Sequence, residues 1–329
     1  MPKSIRWLLA FAAAFGLLGL MLLVLALAPE AQAGHQWLAM AASFAPYGSI
    51  AWGAAVVLAL VGARGRTRLV VAPLALGLAW HIGLLVPYLP GPTHKAAGQT
   101  ESLTVLELNL HFGQADLTQL AADVDRFRPD VVVLTEVTRS DEKTFKNRSW
   151  SRALPYQAGT AGDDYDPAAG TGDARGTLVL SRQPLTQLKV ADGTLFSDFA
   201  VRLDVSGKHV TLIAAHAANP EHGLDRWLGD GEALTRLALA HGSGPLIVAG
   251  DLNATAEHLT LRTLSAKAGL TDTASGEGWH PTYPADAWYP PLIQIDHVLV
   301  SRQFSTTGFQ TVRVAGTDHL GLLVTLAFS

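Results

Sequence analysis

The chain contains no cysteine among its 329 residues, and acidic side chains are almost missing from its first 90 residues. Without cysteine it can form neither a disulfide bond nor a catalytic thiolate. Residues 1–90 contain one acid, Glu30, and five basic residues. Because the whole chain has 24 Lys and Arg against 28 Asp and Glu, residues 91–329 hold 19 and 27 of them, a formal net charge of −8. The sequence therefore predicts two parts of different composition.

The first part carries three long apolar runs that are almost free of charge. Each run is long enough to cross roughly 30 Å of hydrocarbon as a helix. We predict a membrane domain over residues 1–90, with three transmembrane helices at about residues 5–28, 37–62 and 69–90. The alternative for the first run is a signal peptide cleaved after Ala33, but its apolar core exceeds the roughly 7–15 residues usual in such peptides.

Positive charges predict how these helices are oriented. Lys3 and Arg6 precede the first span, and Arg64, Arg66 and Arg68 lie between the second and third, whereas the first loop has no Lys or Arg. The positive-inside rule then places the N-terminus in the cytoplasm and, after three crossings, the remainder of the chain outside it. We expect a multi-pass protein of the cell membrane whose partner is the lipid bilayer, with no obligate protein partner.

The second part has the pattern of an α/β domain over residues 103–329, joined to the first by a polar linker at residues 91–102. Short apolar runs predict eight strands, at residues 103–109, 131–136, 177–181, 200–205, 209–215, 246–249, 295–301 and 322–328. Helical spacing predicts helices at residues 116–128, 223–240 and 257–268. Strands outnumber helices, which favours a four-layer α/β sandwich of two packed mixed sheets flanked by helices.

Polar side chains stand at the ends of six of these strands. Singly, each has an ordinary structural explanation as a turn residue, a helix cap or an edge acid. Together they supply six groups able to bind metal or phosphate, namely Asn109, Glu136, His216, Asp251 with Asn253, Asp296, and Asp318 with His319. Mg²⁺ prefers hard oxygen ligands, and a histidine beside a carboxylate can stay cationic and stabilise charge on phosphorus. The pattern indicates metal-assisted hydrolysis of a phosphate ester.

Other catalytic signatures are missing from the sequence. It has no Walker-type phosphate loop, no G-x-S-x-G nucleophile elbow and no G-x-G-x-x-G after a strand. Zinc is the competing metal, because the chain has 12 histidines. However, there is no H-E-x-x-H pair, and His216, His222 and His241 are scattered along the chain.

The ordered set NLH, LTEV, AAH, GDLNA, QIDHV and TDHLGLL, spread over residues 103–328, resembles the endonuclease/exonuclease/phosphatase superfamily. That superfamily includes DNase-like and sphingomyelinase-like metal-dependent phosphoesterases. The resemblance implies a four-layered α/β sandwich and a divalent cofactor, Mg²⁺ or Mn²⁺. It also implies that Glu136, Asn109 and Asp318 lie on the metal side of the site. Asp251 would activate or orient the attacking water, and Asn253 would hold a phosphate oxygen.

The resemblance implies roles for the remaining matched residues as well. His216 would contact phosphate or protonate the leaving oxygen, as in the DNase-like and sphingomyelinase branches. His319, oriented by Asp296, would bind the phosphoryl group. His111 is a departure, because abasic-site endonucleases carry an acid at that position, which argues against the DNA-repair branch.

The substrate is the least determined feature. The net charge of −8 is a poor match for non-specific duplex binding. Residues 139–152 form a local basic segment or a solvated one. Residues 278–291, with Trp288, form a stacking surface for a base, an edge that faces lipid, or a rigid loop. We expect a membrane-anchored phosphodiesterase or phosphatase acting on nucleic acid, phospholipid or inositol phosphate, the alternative being a catalytically idle binding or sensory domain on the same fold.

Overall fold

The computed structural model describes residues 3–91, 101–164, 173 and 175–329, so most of the predicted linker lies outside the described residues. The chain divides into two compact units. One comprises residues 1–89 with 257–259, and the other comprises residues 90–256 with 260–329.

The first unit is built from apolar helices, α1 (Lys3–Leu27), α2 (Gln36–Ala42), α3 (Gly48–Gly62) and α4 (Val71–Leu84). Three stretches are long and apolar enough to cross a membrane, Lys3–Leu27, Ala45–Gly62 and Gly65–Leu84. Small residues let the helices approach closely, since a Cβ added at Gly19 or Gly77 would lie within 2.9 Å of the Trp52 indole.

The predicted second span, residues 37–62, is interrupted in the structure. Residues Ala45–Tyr47 form a 3₁₀ turn that contains Pro46, and α3 begins after it. Proline lacks the backbone N–H that a continuous helix needs, so one uncharged run becomes two helices.

The second unit consists of two six-stranded mixed sheets with helices outside them. Its strands are β1 (Ser102–Asn109), β2 (Val131–Val137), β3 (Tyr156–Thr160), β4 (Gly176–Ser181), β5 (Leu185–Val190), β6 (Phe199–Val205), β7 (Lys208–His216), β8 (Leu246–Asp251), β9 (Leu270–Asp272), β10 (Asp296–Ser301), β11 (Phe304–Arg313) and β12 (Leu320–Phe328). The first sheet has the order β11-β12-β1-β2-β4-β3, and the second has the order β5-β6-β7-β8-β10-β9.

Helices cover the outer faces of both sheets. The first sheet packs against α5 (Leu117–Phe127), α6 (Arg139–Phe145) and α7 (Arg148–Ala153), and the second against α8 (Leu224–His241) and α9 (Leu259–Ala268). A separate apolar core fills the space between the sheets. This four-layer arrangement confirms the fold class predicted from the sequence.

Strand alternation brings polar side chains to one end of the space between the sheets. Ala249 in β8, Ala214 in β7 and Val298 in β10 all belong to the core between the sheets. Side chains two residues apart in a strand point to the same face, so Asp251, His216 and Asp296 also face the opposite sheet. The end of this core is therefore lined by ionisable groups.

Candidate active site

Asp251 ends β8 in a backbone geometry that few other residues allow. Gly250 has a φ of 147°, and a Cβ there would lie 1.8 Å from the carbonyl oxygen of Ala215, so the position requires glycine. Asn253 has a φ of 46°, which asparagine tolerates. Its backbone N–H donates to Asp251 Oδ1 at 2.9 Å, and its Nδ2 donates to the Ala217 carbonyl at 2.9 Å. The turn therefore fixes the Asp251 carboxylate and the Asn253 amide together.

Asn109 braces two carboxylates. The backbone N–H of His111 donates to Asn109 Oδ1 at 2.8 Å, which turns the amide oxygen toward that donor. The amide nitrogen then donates to Glu136 Oε1 at 3.1 Å and to Asp251 Oδ2 at 3.0 Å. In this geometry Asn109 positions both acids, and its oxygen keeps a second lone pair, so the predicted place on the metal side stays a prediction.

Glu136 is aimed into the site by an irregularity of β2. Its φ is 54°, and the register between β2 and β4 shifts at this point. Glu136 Oε2 accepts a hydrogen bond from the backbone N–H of Phe112 at 2.7 Å. Burial raises the pKa of Glu136, and the hydrogen bonds from Asn109 and Phe112 oppose that rise by stabilising the carboxylate.

His319 and Asp296 form a buried pair. His319 Nδ1 lies 2.9 Å from Asp296 Oδ2, and His319 Nε2 lies 3.9 Å from Asp251 Oδ2 and 3.8 Å from Asp318 Oδ1. Burial acts to lower the pKa of His319, but Asp296, Asp251 and Asp318 outweigh it and raise that pKa well above its ordinary value. The ring is therefore an imidazolium at neutral pH, oriented by Asp296 through Nδ1.

The pKa of Asp251 is also raised, which for a carboxyl group favours the neutral form. Its burial and the nearby charge of Asp296 raise its pKa to about 7, while His319 and the hydrogen bonds from Asn253 and Asn109 oppose the rise. A carboxylate with a pKa near neutrality is suited to accept a proton from water.

His216 is a buried and neutral histidine. Its Nε2 lies 3.7 Å from Asp251 Oδ2 and 3.8 Å from Glu136 Oε1. Burial, followed by the charges of His319 and His222, lowers its pKa to about 3. The Phe196 ring stacks on it with centroids 3.6 Å apart, which fixes the plane of the imidazole.

Residues 106–319 match the family model described as the Endonuclease/Exonuclease/phosphatase family. The match covers well over half of the chain and includes all the residues described above. The chain belongs to this family. The resemblance found in the sequence is thereby confirmed.

Solved structures share the fold. The endonuclease/exonuclease/phosphatase from Beutenbergia cavernae is 22% identical with a TM-score of 0.53, the match covering 70% of this chain and 72% of that chain. A family protein from Leptotrichia buccalis is 13% identical with a TM-score of 0.53, covering 69% and 100%. The human nocturnin catalytic domain, solved with a bound sulfate anion, is 16% identical with a TM-score of 0.51, covering 69% and 95%. Comparison with curated proteins finds no match.

Members of the endonuclease/exonuclease/phosphatase family generally use divalent metals, and the acids of this site fit such an ion. Glu136 and Asp318 have side chains that are 14% and 18% exposed. Glu136 accepts one hydrogen bond on each oxygen and so keeps lone pairs for a hard cation. Asp251, Asp296 and His319 also lie close enough together to hold a metal, with ligand atoms within 4.8 Å of one another.

Asp318 has a neighbour that sequence reasoning did not assign to the site. His111 Nδ1 lies 3.4 Å from Asp318 Oδ1. The sequence comparison noted His111 only because abasic-site endonucleases carry an acid at this position. The available signal was its position in NLH, two residues after Asn109. In the structure the chain turns at His111, where φ is 48°.

His297 was also missed, although it follows Asp296 in QIDHV. Its Nδ1 lies 2.6 Å from Asp272 Oδ2, and its Nε2 lies 2.8 Å from the Ala254 carbonyl oxygen. Both partners are acceptors, so both ring nitrogens carry hydrogen. Burial opposes this state, but the Asp272 carboxylate prevails and raises the pKa of His297. This cation ties the segment after Asn253 to β9.

The eight predicted residues Asn109, Glu136, His216, Asp251, Asn253, Asp296, Asp318 and His319 form one connected cluster. Trp288, the ninth, lies on the surface with 95% of its area exposed and packs edge-on against Tyr289. The structure thus brings together the predicted catalytic and metal-side residues and leaves the predicted aromatic substrate contact outside the cluster.

Proposed function

We propose that the protein is a membrane-anchored phosphoesterase that uses a divalent metal, Mg²⁺ or Mn²⁺, to hydrolyse a phosphodiester or phosphomonoester by in-line attack of water. The observation that carries this proposal is the meeting of a near-neutral base, Asp251, with a cationic His319–Asp296 pair. A base for water and a cation for phosphate are the two groups that such a reaction needs.

Each side chain has a defined task in this mechanism. Asp251 accepts the proton of the attacking water, and Asn109 holds its carboxylate toward the site. His319 directs its Nε2–H to a phosphoryl oxygen, and Asp296 keeps that ring charged and oriented. The Asn253 amide nitrogen donates to the Ala217 carbonyl at 2.9 Å and lies 3.5 Å from Asp251 Oδ2, and its second N–H would turn from that carboxylate to a phosphoryl oxygen.

His216 and the metal-side acids complete the proposed arrangement. The neutral His216 donates one N–H to the phosphate or the leaving oxygen, with no charge of its own to repel the metal. Glu136 and Asp318 would hold the divalent ion. The metal, when bound, neutralises charge developing on the phosphoryl oxygens. A catalytically idle binding domain is the weaker alternative, because none of the predicted catalytic side chains is missing from the cluster.

The proposed substrates are phosphate esters of nucleic acid, phospholipid or inositol phosphate. The three apolar stretches and the distribution of Lys and Arg support anchoring in a membrane, with the catalytic unit outside the cytoplasm. The test is a panel assay of the full-length protein in detergent micelles, with Mg²⁺ or Mn²⁺ and with a chelator. We expect chelator-sensitive turnover of at least one of these ester classes or of a simple aryl phosphate. If none of these substrates is turned over, the proposed phosphoesterase function is refuted.

A further inference from the structure

The loop of residues 278–291, here called the aromatic loop, exposes large aromatic side chains that have no role in the proposed reaction. Trp288 is 95% exposed, Trp279 is 41% exposed and Tyr289 is 37% exposed. The rings of Trp288 and Tyr289 lie side by side, with centroids 5.4 Å apart, and adjacent exposed aromatic side chains mark an interaction surface more often than an isolated exposed residue does.

The aromatic loop is fixed to the catalytic cluster by backbone hydrogen bonds. The N–H of Thr282 donates to the Ile293 carbonyl at 2.8 Å, which closes the base of the loop. The N–H of Ala285 donates to the Asp318 carbonyl at 2.6 Å. The Tyr283 ring lies 5.0 Å from the His319 ring. Whatever the tip binds is therefore held at a set distance from His319.

The composition of the aromatic loop favours lipid over nucleic acid. Residues 278–291 contain no Lys or Arg, and Asp286 is their one acid. Surfaces that bind single-stranded nucleic acid combine aromatic rings with a cationic groove for the phosphates, and this loop supplies no such cation. Trp and Tyr are typical of the interface between a bilayer and water.

Chain connectivity supports the same occupant. The third predicted span ends at residue 90, and the N–H of Gly91 donates to the Gly276 carbonyl at 2.6 Å within the second unit. This hydrogen bond pairs the first residues of the second unit with the segment that leads into the aromatic loop.

We propose that the aromatic loop inserts Trp288 into the headgroup region of the phospholipid bilayer, so that the site takes a phosphate ester carried by a membrane lipid. This inference rests on the proposed function, because it needs the membrane anchor and the active site. It adds a surface, Trp288 with its neighbour Tyr289, and selects the lipid among the possible substrate classes.

The absence of cysteine allows a direct test in the full chain. Trp288→Cys is labelled with an environment-sensitive nitrobenzoxadiazole probe and reconstituted into phosphatidylcholine vesicles. The matched control is Tyr156→Cys, an exposed aromatic position on β3 in the other part of the unit. We expect the label at residue 288 to shift to the blue and to lose intensity when spin-labelled lipid is present, and the label at residue 156 to do neither.

Activity separates this inference from the proposed function. In Trp288→Ala, we expect the ratio of turnover on a vesicle-borne lipid phosphate ester to turnover on a soluble aryl phosphate to fall below that of the wild type. If the enzyme is active but the label at residue 288 neither shifts nor is quenched by the vesicles, the loop proposal alone is overturned. A label whose emission changes with a single-stranded oligonucleotide and not with vesicles overturns it too. A label quenched by lipid in a protein inactive on every substrate supports insertion and refutes the proposed function.

Discussion

At the scale of single residues, the site is a set of buried charges that compensate one another. Asp251 and Asp296 are both buried, and each lies near the cationic His319. Burying a charge is costly unless it is paired, so removing one member changes the protonation of the others. This coupling makes conservative substitutions informative.

Asp296→Asn keeps the shape of the side chain and removes the charge that holds His319 as an imidazolium. We expect kcat to fall by about 10²–10³-fold, the usual loss when one group stabilising the transition state is removed. The matched control is Asp204→Asn, because Asp204 pairs with His209 on the exposed surface. Kinetics with a soluble aryl phosphate check this, and equal losses in both variants would contradict the assigned role.

The pH dependence of the reaction follows from the raised pKa of Asp251. A general base acts only when deprotonated, so kcat/KM should fall as pH drops through about 7, the pKa of this carboxyl. His216, with a pKa of about 3, stays neutral across the same range and adds no second limb. A pH–rate profile that stays level from pH 8 down to about pH 5 would contradict this assignment of the base.

At the scale of elements, the sequence was most informative where strands are buried on both faces. Long apolar runs identified β1, β2 and β8, whose burial is nearly complete. It failed at β5, an edge strand whose LTQLKV segment is largely exposed and has no apolar pattern. The short β9 escaped notice for lack of length.

The same distinction holds in the site. Groups at strand ends were predictable, because alternation sends Asp251 and Asp296 to the face that looks into the core. His297 points to the opposite face, and its partner Asp272 is 25 residues away in the chain. No local pattern reveals such a long-range contact. The surface position of Trp288 likewise depends on how its loop folds back.

His297→Gln tests whether the clamp on the segment after Asn253 matters. The two nitrogens of His297 reach Asp272 and the Ala254 carbonyl in different directions, whereas glutamine has a single amide nitrogen and loses one of these hydrogen bonds. We therefore expect the free energy of unfolding to fall by about 1–3 kcal/mol. We also expect kcat to fall more than KM rises, since Asn253 shifts relative to the phosphoryl group. Denaturant titration and steady-state kinetics measure the two effects. The control is His209→Gln, from the exposed pair with Asp204, and a clamp without function would give matching kinetics in both variants.

At the scale of the whole molecule, composition alone separated a weakly charged apolar part from an acidic α/β part. Hydropathy predicted three spans, and the described residues contain three stretches apolar enough to cross a membrane. The break at Pro46 and the exact helix ends depend on local backbone geometry, which a composition window averages away.

The proposed topology gives a prediction of its own. With the N-terminus in the cytoplasm and three crossings, a reporter fused after Ser329 lies outside the cytoplasm. We expect an alkaline phosphatase fusion there to be active and a fusion in the loop at Arg66 to be inactive. The reverse pattern would place the catalytic unit in the cytoplasm.

The central claim is that the cluster around Asp251 hydrolyses phosphate esters with the help of a metal. The most direct measurement is turnover of bis-para-nitrophenyl phosphate by full-length wild type and Asp251→Asn, each with Mg²⁺ or Mn²⁺ and with chelator. The account predicts chelator-sensitive turnover in the wild type and a loss of about 10²–10⁴-fold in a folded Asp251→Asn variant, as expected for removal of a general base. Turnover that is unchanged by the substitution or by the chelator would contradict this account.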